Sequence, residues 1–169
     1  MKIKVIAAIC KNNGIGFNNH LPWPKFKTDM KFFSLITTGN NNNAIIMGKN
    51  TFNSLNNKPL RNRMNIVLTS SLEEKYEYNN LKFTNSLEAA INYCQNNNYD
   101  EIWIIEGSKL YESIFNREYN ISEFYITFIN KHYECDCFFP KIVNYFYKKT
   151  VISKVSENDV DLYFTRYYN

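Results

Sequence analysis

The sequence contains few of the residues that build metal sites or disulfide-stapled scaffolds. Its 169 residues include only two histidines, His20 and His132, which stand far apart, and four cysteines. Cys135 and Cys137 form a C-x-C pair, but no second pair completes a zinc-binding set, so the pattern does not predict a metal site. Free thiols in a reducing compartment are the expected state, and we expect a cytoplasmic protein. The cysteines are Cys10, Cys94, Cys135 and Cys137.

Long apolar runs and a strong charge of one sign are also absent. No stretch approaches the roughly 20 apolar residues that cross a membrane. The amino-terminal segment MKIKVIAAIC is too short and too strand-like for a signal peptide. The net charge of +4 is mild, and it suits a small anionic ligand better than a nucleic acid. We therefore expect a small-molecule partner, with neither a membrane nor a nucleic acid needed for function.

The hydrophobic pattern predicts an α/β fold in one domain, residues 1–169, which is long enough to bury a sizeable core. Strands and helices alternate in the first two thirds of the chain, and strand-like segments follow at 122–134, 147–155 and 160–168. This order indicates a mostly parallel central sheet with an antiparallel carboxyl-terminal edge and helices on both faces. The other predicted strands are 3–9, 44–47, 64–69, 81–84 and 101–105, and the predicted helices are 25–37, 50–55, 86–96 and 108–115.

Two strand-to-helix turns share one pattern. AIIMGKNTFNSL places Gly48 between an apolar strand and a helix, and IWIIEGSKLYESIF does the same with Gly107. A helix amino terminus offers unpaired backbone N–H groups to an anion, and a preceding glycine lets the anion approach. Either glycine alone reads better as a simple turn, but the pair favours a dinucleotide held by its two phosphates. Neither turn matches G-x-G-x-x-G or the P-loop.

The turn at the end of the third predicted strand, 64–69, reads LTSS and bears on the choice of dinucleotide. A site for NAD often has a carboxylate at this place, whereas Thr69 and Ser70 offer hydroxyls. With Lys49 nearby, the turn suits a 2′-phosphate and favours NADP over NAD.

Asp29 and Arg63 are the charged residues in unusual surroundings. Asp29 lies on a helix stripe with Phe26, Met30 and Phe33, where a carboxylate needs a partner or a raised pKa. The alternative is that Asp29 lies at the edge of the stripe and contacts water. Arg63 precedes a strand and could hold a carboxylate with two hydrogen bonds, although a surface arginine is the simpler interpretation.

These features occur together in a sequence that resembles dihydrofolate reductase from residue 3 almost to the carboxyl terminus. Any one block is weakly specific, but the blocks occur in order and at the family spacing. They read VIAAICKNNGIGFNNHLPWP, TDMKFF, IIMGKNTF, PLRNRMNIVLTSS, IWIIEGSKLYE, FYITFI and CDCFFP. The resemblance implies a single-domain dihydrofolate-reductase-like fold and NADPH-dependent reduction of dihydrofolate to tetrahydrofolate. It also implies that the loop 10–24 acts as a lid over the site.

The resemblance carries roles over by position. Asp29 would bind the amidine edge of the pterin with Thr127 as its hydroxyl partner, and Arg63 would bind the carboxylate of the glutamate tail. Leu21 and Trp23, in the lid, complete the implied catalytic set. The implied substrate-binding residues are Ile6, Ala8, Asp29, Met30, Phe33, Leu60, Arg63, Ile105, Tyr111 and Thr127. The implied cofactor-binding residues are Ala8, Ile15, Gly48, Lys49, Asn50, Thr51, Leu68, Thr69, Ser70, Ile105, Gly107, Ser108, Lys109, Leu110 and Tyr111.

Two positions depart from the family. Glu106-Gly107 stands where the family has Gly-Gly, whose peptide bond is typically cis there; we predict that the 106–107 bond is cis here too. Glu106 also places a carboxylate beside an anion site, so its side chain points away or cofactor affinity drops. Lys49 with Asn50 stands where an arginine and a basic or polar residue are frequent, and lysine cannot form a bidentate phosphate contact.

Two other functions remain as alternatives. A riboflavin-pathway reductase shares the fold but lacks the L-P-W element and the helix with Asp29. A non-catalytic folate or nucleotide-binding protein would be one disabled by Glu106. The chain is expected to be a monomer, with a fusion to or association with thymidylate synthase left open.

Overall fold

The computed structural model describes residues 1–71, 76–116, 119–141 and 148–169. Four helices and ten strands make up the described chain. The helices are α1 (Lys27–Thr38), α2 (Lys49–Ser54), α3 (Leu87–Asn96) and α4 (Ser108–Asn116). The strands are β1 (Lys2–Cys10), β2 (Gly14–Gly16), β3 (Ala44–Gly48), β4 (Met64–Leu68), β5 (Leu81–Thr84), β6 (Glu101–Ile105), β7 (Ile121–Ile129), β8 (Cys137–Phe138), β9 (Lys148–Glu157) and β10 (Val160–Tyr168).

Eight strands form one sheet in the order β5-β4-β3-β6-β1-β7-β10-β9. All pairs from β5 to β7 are parallel, and β10 runs antiparallel to both β7 and β9. The predicted mostly parallel sheet with an antiparallel carboxyl-terminal edge is therefore confirmed.

The central strands are apolar on both faces because helices cover both faces. Successive side chains of a strand point to opposite sides, and β1 shows the division. Val5 and Ile9 pack in a cluster with residues of α3 and α4, whereas Ile6 packs in a cluster with Phe33 of α1 and Phe52 of α2. Strands buried in this way read as continuous apolar runs, as AIIMG in β3 and EIWII in β6 do.

Helix α3 begins as the sequence predicts. The Ser86 side chain caps it by accepting a hydrogen bond from the backbone N–H of Ala89 at 3.1 Å. Helix α1 departs from its predicted stripe at one position, since Met30 is 42% exposed while Phe26 and Thr37 are buried.

A second, two-stranded sheet lies outside the predicted elements. Strand β2 interrupts the loop 10–24, which we call the lid, and pairs antiparallel with β8. Both strands are too short to produce a readable periodicity, so the sequence indicated only a loop. Their pairing ties the lid to the 135–138 segment.

A network of charged side chains crosses four neighbouring strands, β6, β1, β7 and β10, near the amino-terminal end of β1. The ammonium of Lys4 lies 2.5 Å from Glu101 Oε1 and 3.3 Å from Glu123 Oε2, and Arg166 Nη2 lies 2.5 Å from Glu123 Oε1. Tyr125 donates a further hydrogen bond to Glu123 at 2.7 Å. Lys4 and Glu123 are buried, so each charge depends on its partners.

In the described ranges, no helix has both the length and the apolar character that a membrane crossing requires.

Candidate functional site

A cleft of about 760 Å³ opens at the carboxyl ends of β3, β4 and β6. Open sheets with parallel strands bind ligands at this edge. The turns before α2 and α4 form two of its walls, and the lid together with β8 forms another. Ten residues of the implied cofactor set line it: Ile15, Gly48, Lys49, Asn50, Thr51, Leu68, Gly107, Ser108, Lys109 and Leu110.

The turn at Gly48 leaves room for a ligand. A Cβ built on Gly48 would meet no atom within 4 Å, so the backbone of this turn faces open space. No side chain caps α2, and the first N–H groups of the helix therefore lack an intrahelical or capping partner. The residues after the glycine add a cation and a hydroxyl, from Lys49 and Thr51. This wall suits an anionic group.

Lys49 lies over three aromatic rings at the edge of the cleft. Its ammonium is 5.1 Å from the ring centre of Phe83, 5.7 Å from that of Tyr76 and 6.0 Å from that of Phe52. The rings pack against one another with centroid distances of 5.6–6.0 Å. Cation–π attraction holds the ammonium over these rings, and Lys49 is one of the residues that line the cleft.

The turn at Gly107 corrects one prediction. None of the peptide bonds in the described residues is cis, so the expected cis bond between Glu106 and Gly107 is wrong. The chain turns instead through two consecutive residues with positive φ, 41° at Glu106 and 115° at Gly107. Gly107 adopts such a φ readily because it has no Cβ. Glu106 is held in this conformation by a hydrogen bond of 2.7 Å from its N–H to the Tyr111 hydroxyl.

Glu106 is one of the residues that line the cleft. Burial raises its pKa above the usual glutamate range, because removal from water disfavours the charged form. Its neighbours in the cleft lining include Ser108 and Lys109.

Five residues of the implied cofactor set lie outside the cleft lining. Thr69 and Ser70 follow Leu68, and the Thr69 hydroxyl bonds to the Ser71 carbonyl at 3.1 Å. Tyr111 is 2% exposed and lies behind the Gly107 turn, where its hydroxyl donates to the Ile6 carbonyl at 2.7 Å. The other two residues are Ala8 and Ile105.

Asp29 lies in the first turn of α1, and the side chain of Thr127 in β7 is near enough to its carboxyl group to lower its pKa. Burial raises the pKa of Asp29, Thr127 lowers it, and the nearby charge of Glu157 raises it; the net shift is upward. Asp29 is half-buried rather than fully solvated at the edge of its stripe. The structure therefore pairs the two residues that the sequence resemblance linked across 98 positions.

Glu157, at the end of β9, caps the helix that carries Asp29. Its Oε1 accepts from the backbone N–H of Lys27 at 2.8 Å, and its Oε2 accepts from that of Thr28 at 3.0 Å and from the Thr28 hydroxyl. These bonds lower the pKa of Glu157. The local sequence gave no sign of this cap, since the N-cap position, Phe26, has no capping side chain and the carboxylate comes from 130 residues away.

The apolar residues implied for the substrate side come from adjacent strands. Ile6 pairs with Ile105 of β6, and Ala8 pairs with Thr127 of β7. Ile6 and Ile105 pack in one cluster with Phe33 and Leu60, while Ala8 packs with Leu21 and Trp23 of the lid. Strand register thus places the polar Asp29–Thr127 pair one strand away from this apolar floor.

Arg63 is buried, with 7% exposure, so the simpler interpretation as a surface arginine is wrong. It donates to the Thr37 hydroxyl at 2.6 Å and to the Arg61 carbonyl at 3.0 Å, and its guanidinium lies 5.9 Å from the Phe33 ring centre. Burial lowers its pKa. The residue is anchored against the carboxyl-terminal end of α1, close to Phe33 of the apolar cluster.

The lid and the 135–138 segment form the remaining wall. Asp136 accepts a hydrogen bond from the Asn18 N–H at 2.9 Å, and its own N–H donates to the Gly16 carbonyl at 3.0 Å. Leu21 and Trp23 do not line the cleft; Trp23 is 4% exposed and packs edge-on against Tyr133. The lining residues outside the implied cofactor and substrate sets are Gly16, Asn18, Asn19, His20, Ser54, Asn85, Ser86, Leu87, Glu106, Ser113, Asp136 and Cys137.

Comparison with known proteins gives a consistent result. The family model described as dihydrofolate reductase matches residues 2–169. A viral dihydrofolate reductase of Saimiriine herpesvirus 2 (strain 488) is 37% identical over 149 residues, which cover 83% of this chain and 69% of the viral protein. The dihydrofolate reductase of Schistosoma mansoni is 36% identical over 151 residues, which cover 84% of this chain and 80% of the Schistosoma protein. The dihydrofolate reductase of Sus scrofa is 35% identical over 150 residues, which cover 83% of this chain and 80% of the Sus scrofa protein.

Proposed function

The chain belongs to the dihydrofolate reductase family, and from that premise we propose that it catalyses the NADPH-dependent reduction of 7,8-dihydrofolate to 5,6,7,8-tetrahydrofolate. The proposed reaction would support one-carbon metabolism and thymidylate synthesis. The observation that carries it is the arrangement at one edge of the sheet. A cleft between two phosphate-type turns opens beside an apolar floor, and a carboxylate–hydroxyl pair lies one strand further on.

The cleft suits a cofactor with several phosphates. Gly48 leaves open space, and Lys49, Thr51, Ser108 and Lys109 bring cations and hydroxyls to the two turns. Lys49 is our candidate for the 2′-phosphate that distinguishes NADPH from NADH, because the aromatic rings beneath it fix the position of its charge. Thr69 and Ser70 lie outside the cleft lining, so Lys49 is the better candidate for this contact. When bound, the cofactor supplies the hydride that the pterin C6 accepts.

The chain itself supplies orientation, electrostatics and exclusion of water. We propose that Asp29 and Thr127 hold the amidine edge of the pterin through the carboxylate and hydroxyl oxygens. A carboxylate there makes the pterin N5 more basic, and N5 takes its proton through a water molecule. Ile6, Phe33 and Ile105 keep the reacting rings in an apolar setting. Arg63 is our candidate for binding the carboxylate of the glutamate tail.

The test mixes the purified protein with NADPH and dihydrofolate and follows the loss of NADPH absorbance. We expect turnover by the wild type and a loss of about 100-fold or more in kcat/KM for Asp29→Asn. Full activity of Asp29→Asn at neutral pH would contradict the assignment of Asp29. Tight NADPH binding without turnover would favour the non-catalytic alternative.

Cofactor choice has its own test. Lys49→Met removes the charge and keeps the length of the side chain, so affinity for NADPH should fall while affinity for NADH changes little. Lys11→Met, on an exposed residue that does not line the cleft, is the control. Equal losses for both cofactors would exclude Lys49 as the 2′-phosphate contact.

We further propose that residues 1–169 act as a single domain, as a monomer in the cytoplasm. All four cysteines are free thiols, which fits a reducing compartment. Sedimentation of the isolated chain, alone and with thymidylate synthase, separates the monomer from the association that the sequence leaves open.

A further inference from the structure

Two of the four thiols lie next to each other at the stem of the lid. Cys10 is the last residue of β1 and the first residue of the lid, and Cys135 lies just ahead of β8. Their sulfur atoms are 3.6 Å apart, across 125 positions of sequence. A disulfide has an S–S length of about 2.05 Å, so the two sulfurs need to approach by only about 1.5 Å. The side chains already converge.

The surrounding residues make room for this pair. A Cβ built on Gly14 would overlap the sulfur of Cys135 and would lie 3.1 Å from that of Cys10. Only a glycine at position 14 therefore leaves room for the two sulfur atoms to lie side by side. Cys10 also donates a hydrogen bond to Asn12 Oδ1 at 3.0 Å, and Asn12 in turn donates to the Tyr133 carbonyl at 2.9 Å. The two chain segments are thus held together around the thiols.

We propose that Cys10 and Cys135 form a reversible redox site, at which a small disulfide such as oxidised glutathione converts the two thiols into an intramolecular disulfide. In cytosolic proteins, disulfides of this kind are typically transient and redox-sensing. The proposal adds a covalent modification to the proposed reductase and does not depend on its substrate.

The reaction proceeds by two thiol–disulfide exchanges. Cys135 is half-buried whereas Cys10 is fully buried, so Cys135 meets the oxidant first. Its thiolate attacks one sulfur of oxidised glutathione, forms a mixed disulfide and releases one glutathione thiolate. The sulfur of Cys10, once deprotonated, attacks the Cys135 sulfur and releases the second. Two protons leave the protein, and its two electrons end on the two released glutathiones.

The rate of the first step depends on pH. Burial, together with the hydrogen bond and proximity of Cys10, raises the pKa of Cys135 to about 11. Because the thiolate is the nucleophile, oxidation should become faster as the pH rises towards that value. This slow first step also means that the site responds to sustained rather than brief oxidation.

The bond would fasten the stem of the lid. Asp136 and Cys137, which follow Cys135, line the cleft, and the Asp136 N–H already bonds to the Gly16 carbonyl at 3.0 Å. A covalent link from Cys10 to Cys135 ties the end of β1 to this segment and holds β2 against β8. We therefore infer that the oxidised protein releases a ligand from the cleft more slowly; this second part rests on the proposed function.

The first experiment needs neither cofactor nor substrate. The protein is equilibrated in mixtures of reduced and oxidised glutathione, quenched in acid, unfolded, alkylated and analysed by mass spectrometry. We expect the four free thiols of the chain to fall to two, a peptide pair joined through Cys10 and Cys135, and full reversal by dithiothreitol. Cys137→Ser, two residues away, should form the same bond, whereas Cys135→Ser should not.

Several outcomes would overturn the redox site. These are four free thiols at every glutathione ratio, a persistent glutathione adduct as the final product, or a bond between Cys135 and Cys137. The peptide map of the wild type decides the matter even if a cysteine variant does not fold.

In the second experiment, NADPH should dissociate several-fold more slowly from the oxidised protein than from the reduced one. An unchanged rate would refute the effect on the lid, and absence of NADPH binding in both states would instead refute the proposed function.

Discussion

The hydroxyl of Tyr111 joins two backbone segments that meet at the cleft: it accepts a hydrogen bond from the Glu106 N–H and donates one to the Ile6 carbonyl, both at 2.7 Å. Tyr111 comes from α4, so one side chain locks the helix, the end of β6 and the middle of β1 together. The positive φ of Glu106 is maintained by this bond. Burial raises the pKa of Tyr111, and the phenol therefore stays protonated and able to donate.

Removal of this hydroxyl should be costly. Tyr111→Phe leaves a buried carbonyl and an N–H without their partner, and each loss of this kind costs about 1–3 kcal/mol. The free energy of unfolding, measured by urea denaturation, should fall by at least that amount. Tyr78→Phe, on an exposed tyrosine, is the matched control and should change little. Equal effects of the two substitutions would show that the Tyr111 hydroxyl does not hold the turn.

Glu106 should make cofactor binding sensitive to pH. Its pKa is raised by burial, so the carboxyl is neutral below that pKa and charged above it. Affinity for NADPH should fall as the pH rises through the raised pKa, because the carboxylate then faces phosphates. The other ionisable groups of the cleft are common to all variants: His20, Lys49, Lys109, Asp136 and Cys137.

Titration of NADPH fluorescence across pH checks this with two variants. Glu106→Gln should bind more tightly at high pH and should lose this part of the pH dependence. Glu112→Gln, on an exposed residue of α4, the helix that follows this turn, should behave as the wild type. If the wild type and Glu106→Gln weaken in parallel as the pH rises, Glu106 does not titrate in this range.

Glu157 should act on the reaction through Asp29. Its negative charge contributes to the raised pKa of Asp29, after burial. Glu157→Gln removes that contribution, so the pKa of Asp29 should decrease and the acidic limb of the kcat/KM profile should move to lower pH. Loss of the cap on α1 should also lower the melting temperature.

The two effects of Glu157→Gln separate a positioning role from a purely structural one. A purely structural role would lower the melting temperature without moving the acidic limb. Glu134→Gln, on an exposed glutamate outside this contact, provides the control for the loss of one charge. The pKa of Glu157 is lowered in the folded protein, so the stabilisation that it gives is present at neutral pH. This stabilisation is lost as the pH falls through the lowered pKa.

Loss of the charged network at β1 should destabilise the protein far more than loss of an exposed charge on the same strand. Lys4→Met leaves Glu101 and Glu123 without their shared cation, and breaking a buried ion pair costs about 3–5 kcal/mol. Lys2→Met, two residues earlier on the same strand and exposed, should cost far less. Urea denaturation at neutral pH measures both, and equal midpoints for the two variants would contradict a stabilising role for the network.

The features that the sequence predicted correctly are those that depend on local periodicity and on the shared pattern of two turns. The order of strands and helices, the Ser86 cap and the two glycine turns of the cleft all follow from short-range patterns. The Glu157 cap, the Cys10–Cys135 contact and the Asp136 wall join segments more than 100 residues apart, and no periodicity encodes such contacts. The wrong prediction at the 106–107 bond has another cause: family geometry was transferred to a position where a side chain and the bond to Tyr111 favour a different turn.

The position of β1 in the sheet bears on how the chain acquires its fold. β1 lies between β6 and β7, and its first pair joins Lys2 to Glu101. Ribosomes add about 5–20 residues per second, so this central strand emerges several seconds before either of its neighbours. Until then it is an unpaired apolar segment of the kind that chaperones bind. Long-range parallel pairing of this type also makes folding slow, and the yield of native protein should depend on what shields β1 during synthesis.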